Sequence, residues 1–171
     1  QTIKKTLMNQ AKQVNNKINF IKHNNKNLED NFFKHLQGQH QHLNSFLAKE
    51  LITYLSKTKV VKLKEKKIIK SIQNTSWPGR FQKISQNPTV IYDVAHNLKG
   101  IEAFIETFKK LQYNHNNKIL ICGFEYNKKV KKITKQLGLL FDEIICTETR
   151  VRKSMPAKKL KNLFQHNNLI I

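Results

Sequence analysis

The chain has 171 residues, 39% hydrophobic and 9% aromatic, enough for one ordinary core or two partial ones and too few for a large multidomain enzyme. Lys and Arg number 32 against 11 Asp and Glu, a formal net charge of +21, which points first to an anionic partner. Yet only Arg80, Arg150 and Arg152 are arginines and the Lys are scattered among paired Asn, whereas nucleic-acid readers concentrate Arg and aromatics at contact points; the charge therefore reads as compositional drift, with no nucleic acid as partner.

No run approaches the roughly 18 apolar residues of a membrane span, and the N-terminus lacks the apolar core of a signal peptide. Cys122 and Cys146 lie inside apolar runs, where a thiol behaves as a small hydrophobe. A soluble cytoplasmic protein without a membrane partner is the expectation. The first residue is Gln1 rather than Met, so the chain is expected to be processed or a piece of a longer protein.

Leu7, Met8, Ala11 and Val14 recur at helical spacing in a polar, Lys/Asn-rich N-terminal stretch and predict one amphipathic helix. Leu43, Phe46, Leu47, Leu51, Ile52 and Leu55 form a stripe from His40 to about Ser56, the strongest helix signal of the first half. Leu63, Ile68, Ile69 and Ile72 among the Lys of 62–70 predict a second, short helix, and Trp77-Pro78-Gly79 breaks the pattern. The Lys runs at 62–70 and 128–135 read as solvated helix faces.

Beyond that boundary strands and helices alternate. Thr89–Tyr92, Lys118–Cys122 and Glu143–Cys146 are short apolar runs of the kind that a parallel sheet covers on both faces. Between them lie stripes at Ile101, Phe104, Ile105, Phe108 and Leu111, then at Val130, Ile133 and Leu137, and Pro156 opens a third helix near Leu160. The order β-α-β-α-β-α predicts an α/β domain, doubly wound and Rossmann-like, whose ligands sit at the carboxyl ends of the strands.

The residues at those ends are a carboxylate, an imidazole and an amide, Asp93, His96 and Asn97, directly after the first strand. An Asp there suits a ribose diol, and the groups beside the following helix N-terminus suit an anion. As a loop carboxylate, Asp93 is expected to contribute little to packing, so that its removal leaves the fold intact. Arg80, kept as Arg in a Lys-rich chain, suggests that its planar fork is wanted for phosphate or carboxylate. Trp77 and Phe81 read as packing residues of a linker, and His40 and Gln41 as helix-capping residues or ligand contacts.

Three blocks carry a resemblance to a known family. Gly38-Gln39-His40-Gln41-His42-Leu43-Asn44-Ser45 resembles a G-x-H-Q-x-x-N-A block, Trp77-Pro78-Gly79-Arg80-Phe81 a W-P-G-R-F block, and Asp93-Val94-Ala95-His96-Asn97 a D-G-A-H-N-P block. In this order and spacing they resemble the folylpolyglutamate synthase/dihydrofolate synthase family of the Mur ligase superfamily. Looser matches cover 123–129 and 152–160. Val94 stands for the family's Gly, Leu98 for its Pro, and Asn127 and Lys129 for its two acidic residues.

The resemblance implies a ligase that activates a pteroate or folate carboxylate with ATP as an acyl phosphate, which the amine of L-glutamate then attacks. It implies that Asn44 reads the adenine edge, Asp93 holds the ribose, Arg80 reaches the phosphates and His96, the catalytic candidate, sits near the phosphates or the incoming glutamate. Lys128 and Ser154 are the implied glutamate contacts. ATP and Mg2+ are the implied cofactors, with the metal ligands outside this chain, because no G-x-x-x-x-G-K-[ST] phosphate loop occurs here. On this view residues 1–56 end a central P-loop ATPase domain, 57–76 are a helix and interdomain linker, and 77–171 are most of a glutamate-binding Mur ligase C-terminal domain. The missing N-terminal ATPase segment is then a partner, and the chain alone is expected to be inactive. The alternatives are a non-catalytic or split remnant of such a ligase, or a basic nucleic-acid-binding module.

Overall fold

Ile119–Cys122 (β3), Glu143–Cys146 (β4) and Leu169–Ile170 (β5) form a parallel sheet of order β3-β4-β5. The computed structural model describes residues 2–21, 32–111, 117–126, 129–148, 153–164 and 169–170. Each parallel step is bridged by a helix, Val130–Gly138 (α5) and Ala157–Lys161 (α6), as parallel neighbours require. Asp142 fixes the start of the β3–β4 register: its carboxylate accepts from the Lys118 N–H at 2.7 Å while its own N–H donates to the Lys118 carbonyl at 2.8 Å.

The core lies under this sheet. Ile133, Leu137, Ile144 and Leu160 are fully buried, and the period-3.6 stripes meet the continuous strands there, as the pattern predicts. Thr134 is buried with them because its hydroxyl donates to the carbonyls of Lys131 and Leu163, tying α5 to the segment after α6. Cys122 and Cys146 face each other in register and are buried, and burial pushes the Cys122 thiol up to about 12, consistent with packing rather than reactivity.

Leu98–Lys110 (α4) covers the core through Ile101, Phe104 and Phe108. Rings then run in a chain from the linker into the core: Phe81 to Phe104 at 5.4 Å between centroids, Phe104 to Phe108 at 5.9 Å and Phe108 to Phe141 at 5.2 Å. The packing role read for Phe81 therefore holds, with 5% of the residue exposed.

Thr89–Tyr92 (β2) is a strand where the sequence predicts one, but its partner differs. It pairs antiparallel with Gln82–Gln86 (β1) in a two-stranded sheet, across a turn that contains a cis Asn87-Pro88 peptide. Gln-Lys-Ile-Ser-Gln has a single apolar residue and gave no strand signal, whereas a two-residue connection makes the local pairing cheap in loop entropy. The parallel sheet consequently ends at β3, whose Ile121 is 68% exposed.

Among the described residues ahead of the linker the regular elements are helices: Thr2–Gln13 (α1), His40–Lys57 (α2) and Glu65–Gln73 (α3). Leu7 and Met8 of α1 stay exposed. The stripe of α2 does not pack as its periodicity suggests. Leu43, Leu47 and Leu51 are exposed, whereas Gln41, His42 and Ser45 are buried. The polar face turns toward the 32–36 segment, where the Phe33 ring meets His42 edge-on at 5.2 Å. α3 is joined to α2 by a Lys49–Glu65 pair at 2.7 Å, which holds the Glu65 carboxyl below its ordinary range.

Candidate functional site

The linker turn is shaped by two residues with left-handed backbones, Gly79 at φ +71° and Phe81 at φ +47°. A Cβ on Gly79 would approach Val94 Cγ1 to 2.7 Å, so both the conformation and the space demand glycine. Phe81 has no such freedom and is held by neighbours. Its ring is anchored in the aromatic chain, and its N–H donates to Asp93 Oδ2 at 2.7 Å. Arg80, between the two, points outward and is exposed.

Asp93 is the other half of this clamp. Its Oδ1 accepts from the Ala95 N–H at 2.7 Å, and beside it the Val94 N–H donates to the Gly79 carbonyl at 3.0 Å. The expectation that Asp93 contributes little to the fold is therefore corrected: one carboxylate orders both its own loop and the Arg80 turn. Asn97 accepts from the Gly100 N–H at 2.9 Å and caps α4, which is why that helix starts at Leu98. His96 is exposed, with Nδ1 3.2 Å from the Val94 carbonyl oxygen.

Two concavities flank the clamp. One of about 470 Å³ lies between the N-terminal half of α2 and the linker, and Asn44, His40, Trp77 and Arg80 are among its lining residues. The second, of about 360 Å³, lies between the 91–96 loop and β3, with Asp93, His96 and Gly123 on its walls. Asn44 and Arg80 thus line one concavity and Asp93 and His96 the other, and the Phe81–Asp93 hydrogen bond joins the turn that carries Arg80 to the loop that carries His96.

Around Asn44 a short chain of hydrogen bonds sets the polarity. The Asn44 amide donates to Gln41 Oε1 at 3.2 Å, which orients the Gln41 amide so that its Nε2 faces His40 Nε2 at 2.9 Å. An amide N–H2 only donates, so His40 Nε2 accepts and the ring is neutral. Desolvation lowers the His40 pKa from 6.5, aided by Arg80 and opposed by Asp93 and Glu106. Neither His40 nor Gln41 caps α2. Gln39 stands at the N-cap and makes no side-chain cap bond.

Ser154 bridges antiparallel to Glu125, and the Tyr126 N–H donates to the Lys153 carbonyl at 2.9 Å. The exits of β3 and β4 are thereby adjacent. Lys128 lies outside the described residues. The sequence reading missed Trp77, read as packing but 65% exposed on the first concavity; its place beside Pro78 in a breaker motif was the available signal. Among the described residues no group of three or more His, Cys, Asp or Glu is placed to hold a metal, and no helix is long and apolar enough to cross a membrane.

A family model described as "Mur ligase, glutamate ligase domain" matches residues 79–170. A dihydrofolate synthase/folylpolyglutamate synthase of Buchnera aphidicola subsp. Acyrthosiphon pisum is 35% identical over 112 residues, 64% of this chain and 27% of that protein. Escherichia coli FolC in complex with DHPP and ADP is similar with a TM-score of 0.56 at 26% identity, over 64% of this chain and 26% of that one. Mycobacterium tuberculosis folylpolyglutamate synthase complexed with ADP, at 20% identity, shares the fold with a TM-score of 0.63 over 78% of this chain and 31% of its own. The chain spans about a quarter of the length of the curated relatives it matches, 24% and 27% of two of them.

Proposed function

We propose, from the premise that the chain belongs to the Mur ligase family through its glutamate ligase domain, that it forms part of an ATP-dependent ligase adding L-glutamate to dihydropteroate or a folate. The observation that carries this reading is the clamp between the Arg80 turn and the Asp93 loop, because it holds together the two segments that carry a guanidinium, a carboxylate and an imidazole onto the two concavities. In the proposed reaction the carboxylate of the pteroate or folate attacks the γ-phosphoryl of ATP, giving an acyl phosphate and ADP. The amine of glutamate then attacks the acyl carbon and expels phosphate.

The chain's residues have separate tasks in this scheme. Arg80 offers a bidentate fork to phosphate oxygens at a site where charge develops. The Asn44 amide, oriented by Gln41, suits the paired donor and acceptor of an adenine edge. Both Asp93 oxygens accept backbone N–H groups, yet each keeps a lone pair for a ribose hydroxyl. His96, exposed at the strand end, is assigned to the phosphates or the incoming amine. Ser154, with Lys128, is assigned to the glutamate carboxylates at the exits of β3 and β4. Magnesium is proposed to be held by residues outside this chain.

The exposed Leu43, Leu47 and Leu51 face supports the proposed domain division at 1–56, 57–76 and 77–171, since an apolar stripe on an ATPase-domain helix needs the rest of that domain to cover it. The test is glutamate addition by the polypeptide that includes this chain, followed by product mass with dihydropteroate and with tetrahydrofolate as acceptors. Arg80→Lys is expected to lower turnover at least about tenfold, because a point charge does not replace a bidentate fork. Wild-type rates in that variant remove Arg80 from the site, and no glutamate addition to either acceptor overturns the ligase reading.

A further inference from the structure

Trp77 is the chain's single tryptophan, and 65% of it is exposed. Large aromatics are normally buried for most of their surface, and the fold does not use this one for its core. The backbone that carries the indole is nonetheless held. Pro78 holds the preceding backbone extended, the Gly79 N–H donates to Gln82 Oε1 at 2.9 Å, and the Gly79 carbonyl accepts from Val94 at 3.0 Å. A rigid turn thus offers a flat apolar face toward a concavity of about 470 Å³, a size typical of small-molecule sites.

The other groups on that wall define what the face would meet. Asn44 supplies an amide edge, His40 is a neutral ring, and Arg80 is a cation on the same turn, three residues after Trp77. An aromatic plane, an edge-reading amide and a guanidinium together match a planar heteroaromatic ring that carries an anionic tail. We propose that the Trp77 indole is the stacking platform for the base of a nucleoside di- or triphosphate in this concavity, with Arg80 toward its phosphates. The inference rests on the nucleotide reading given above and goes beyond it by assigning the base contact to Trp77.

Because Trp77 is the only tryptophan, the intrinsic emission of the 171-residue chain reports on it alone. The chain is titrated with ADP and, separately, with inorganic pyrophosphate, while calorimetry records binding independently. ADP is expected to quench the emission and pyrophosphate to leave it nearly unchanged. Trp77→Ala should weaken ADP by about tenfold, as loss of a base–aromatic stack does, with pyrophosphate affinity unaltered and Trp77→Phe restoring most of the loss. ADP binding by calorimetry with unchanged emission, and with Trp77→Ala within about twofold of wild type, overturns the platform and leaves the nucleotide reading standing. Absence of ADP binding by the 171-residue chain overturns the platform, and the nucleotide reading falls with it if the polypeptide that includes this chain and a phosphate loop also fails to bind ADP.

Discussion

Asp93 accepts the backbone N–H of Phe81 at 2.7 Å across twelve residues of sequence, so the carboxylate at the end of β2 dictates the conformation of the turn that displays Arg80. Phe81 sits at φ +47°, a left-handed conformation that costs an ordinary residue about 1–2 kcal/mol. The hydrogen bond and the buried ring together offset that cost. Site and scaffold are therefore one device here: the group proposed to face the ribose also holds the group proposed to face the phosphates.

Replacing Asp93 should accordingly act on stability as well as on turnover. Asp93→Ala leaves the N–H groups of Phe81 and Ala95 without their partner. Two charge-assisted hydrogen bonds at a half-buried position contribute together about 2–4 kcal/mol. Urea unfolding should show the midpoint shifted downward with the slope unchanged. A midpoint equal to wild type would mean that the clamp contributes nothing and that the turn is set by the Phe81 ring alone.

How far the sequence alone reaches is visible at the same residues. Stripes of period 3.6 and continuous apolar runs placed α4, α5, β3 and β4 within a residue or two, because burial against one core is what those patterns encode. Chain order and block spacing pointed to one rim for Arg80 and Asp93, whereas the structure joins their segments through the Phe81 N–H and sets the two side chains on different concavities. The β1 strand was not legible, since Gln82–Gln86 owes its extended form to a short hairpin connection rather than to apolar alternation. Nor was the dual use of Asp93, because a side chain accepting from a backbone N–H twelve residues earlier leaves no trace in composition or period. Trp77 illustrates the converse. Residue type predicts burial, but a Pro-Gly turn can hold an aromatic out in solvent.

The exposed stripe of α2 separates what this chain needs from what a larger ligase needs. In the 171-residue chain, Leu47→Lys with Leu51→Lys should change stability by less than about 0.5 kcal/mol, the usual range for exposed sites. In the polypeptide proposed to include the remainder of the ATPase domain, the same pair should be strongly destabilising, because two charges would then be buried against apolar surface. Thermal melts of both proteins test this. Equal and small effects in the two contexts would leave the stripe uncovered in both and remove the support that it lends to the domain division.

His40 makes the site sensitive to pH. Burial disfavours its charged form, Arg80 adds to that, and Asp93 and Glu106 oppose it without reversing it, so the folded pKa lies below 6.5. Near pH 6.5 the unfolded chain therefore binds more protons at this position than the folded one. By linkage, stability falls as pH drops through the ordinary histidine value toward the lower folded one, and it levels off below both. Geometry gives the same sign: a protonated ring would direct an N–H at the Gln41 amide, which itself donates at 2.9 Å because Asn44 occupies Gln41 Oε1. Protonation thus breaks the chain that orients Asn44. Between about pH 7.5 and 5.5, a span that brackets the histidine range, the melting temperature of the wild type should fall by more than that of His40→Gln, which cannot protonate. Nucleotide affinity should weaken with it in the wild type alone. Parallel melting curves of the two proteins across that range would place the charge balance of the site elsewhere.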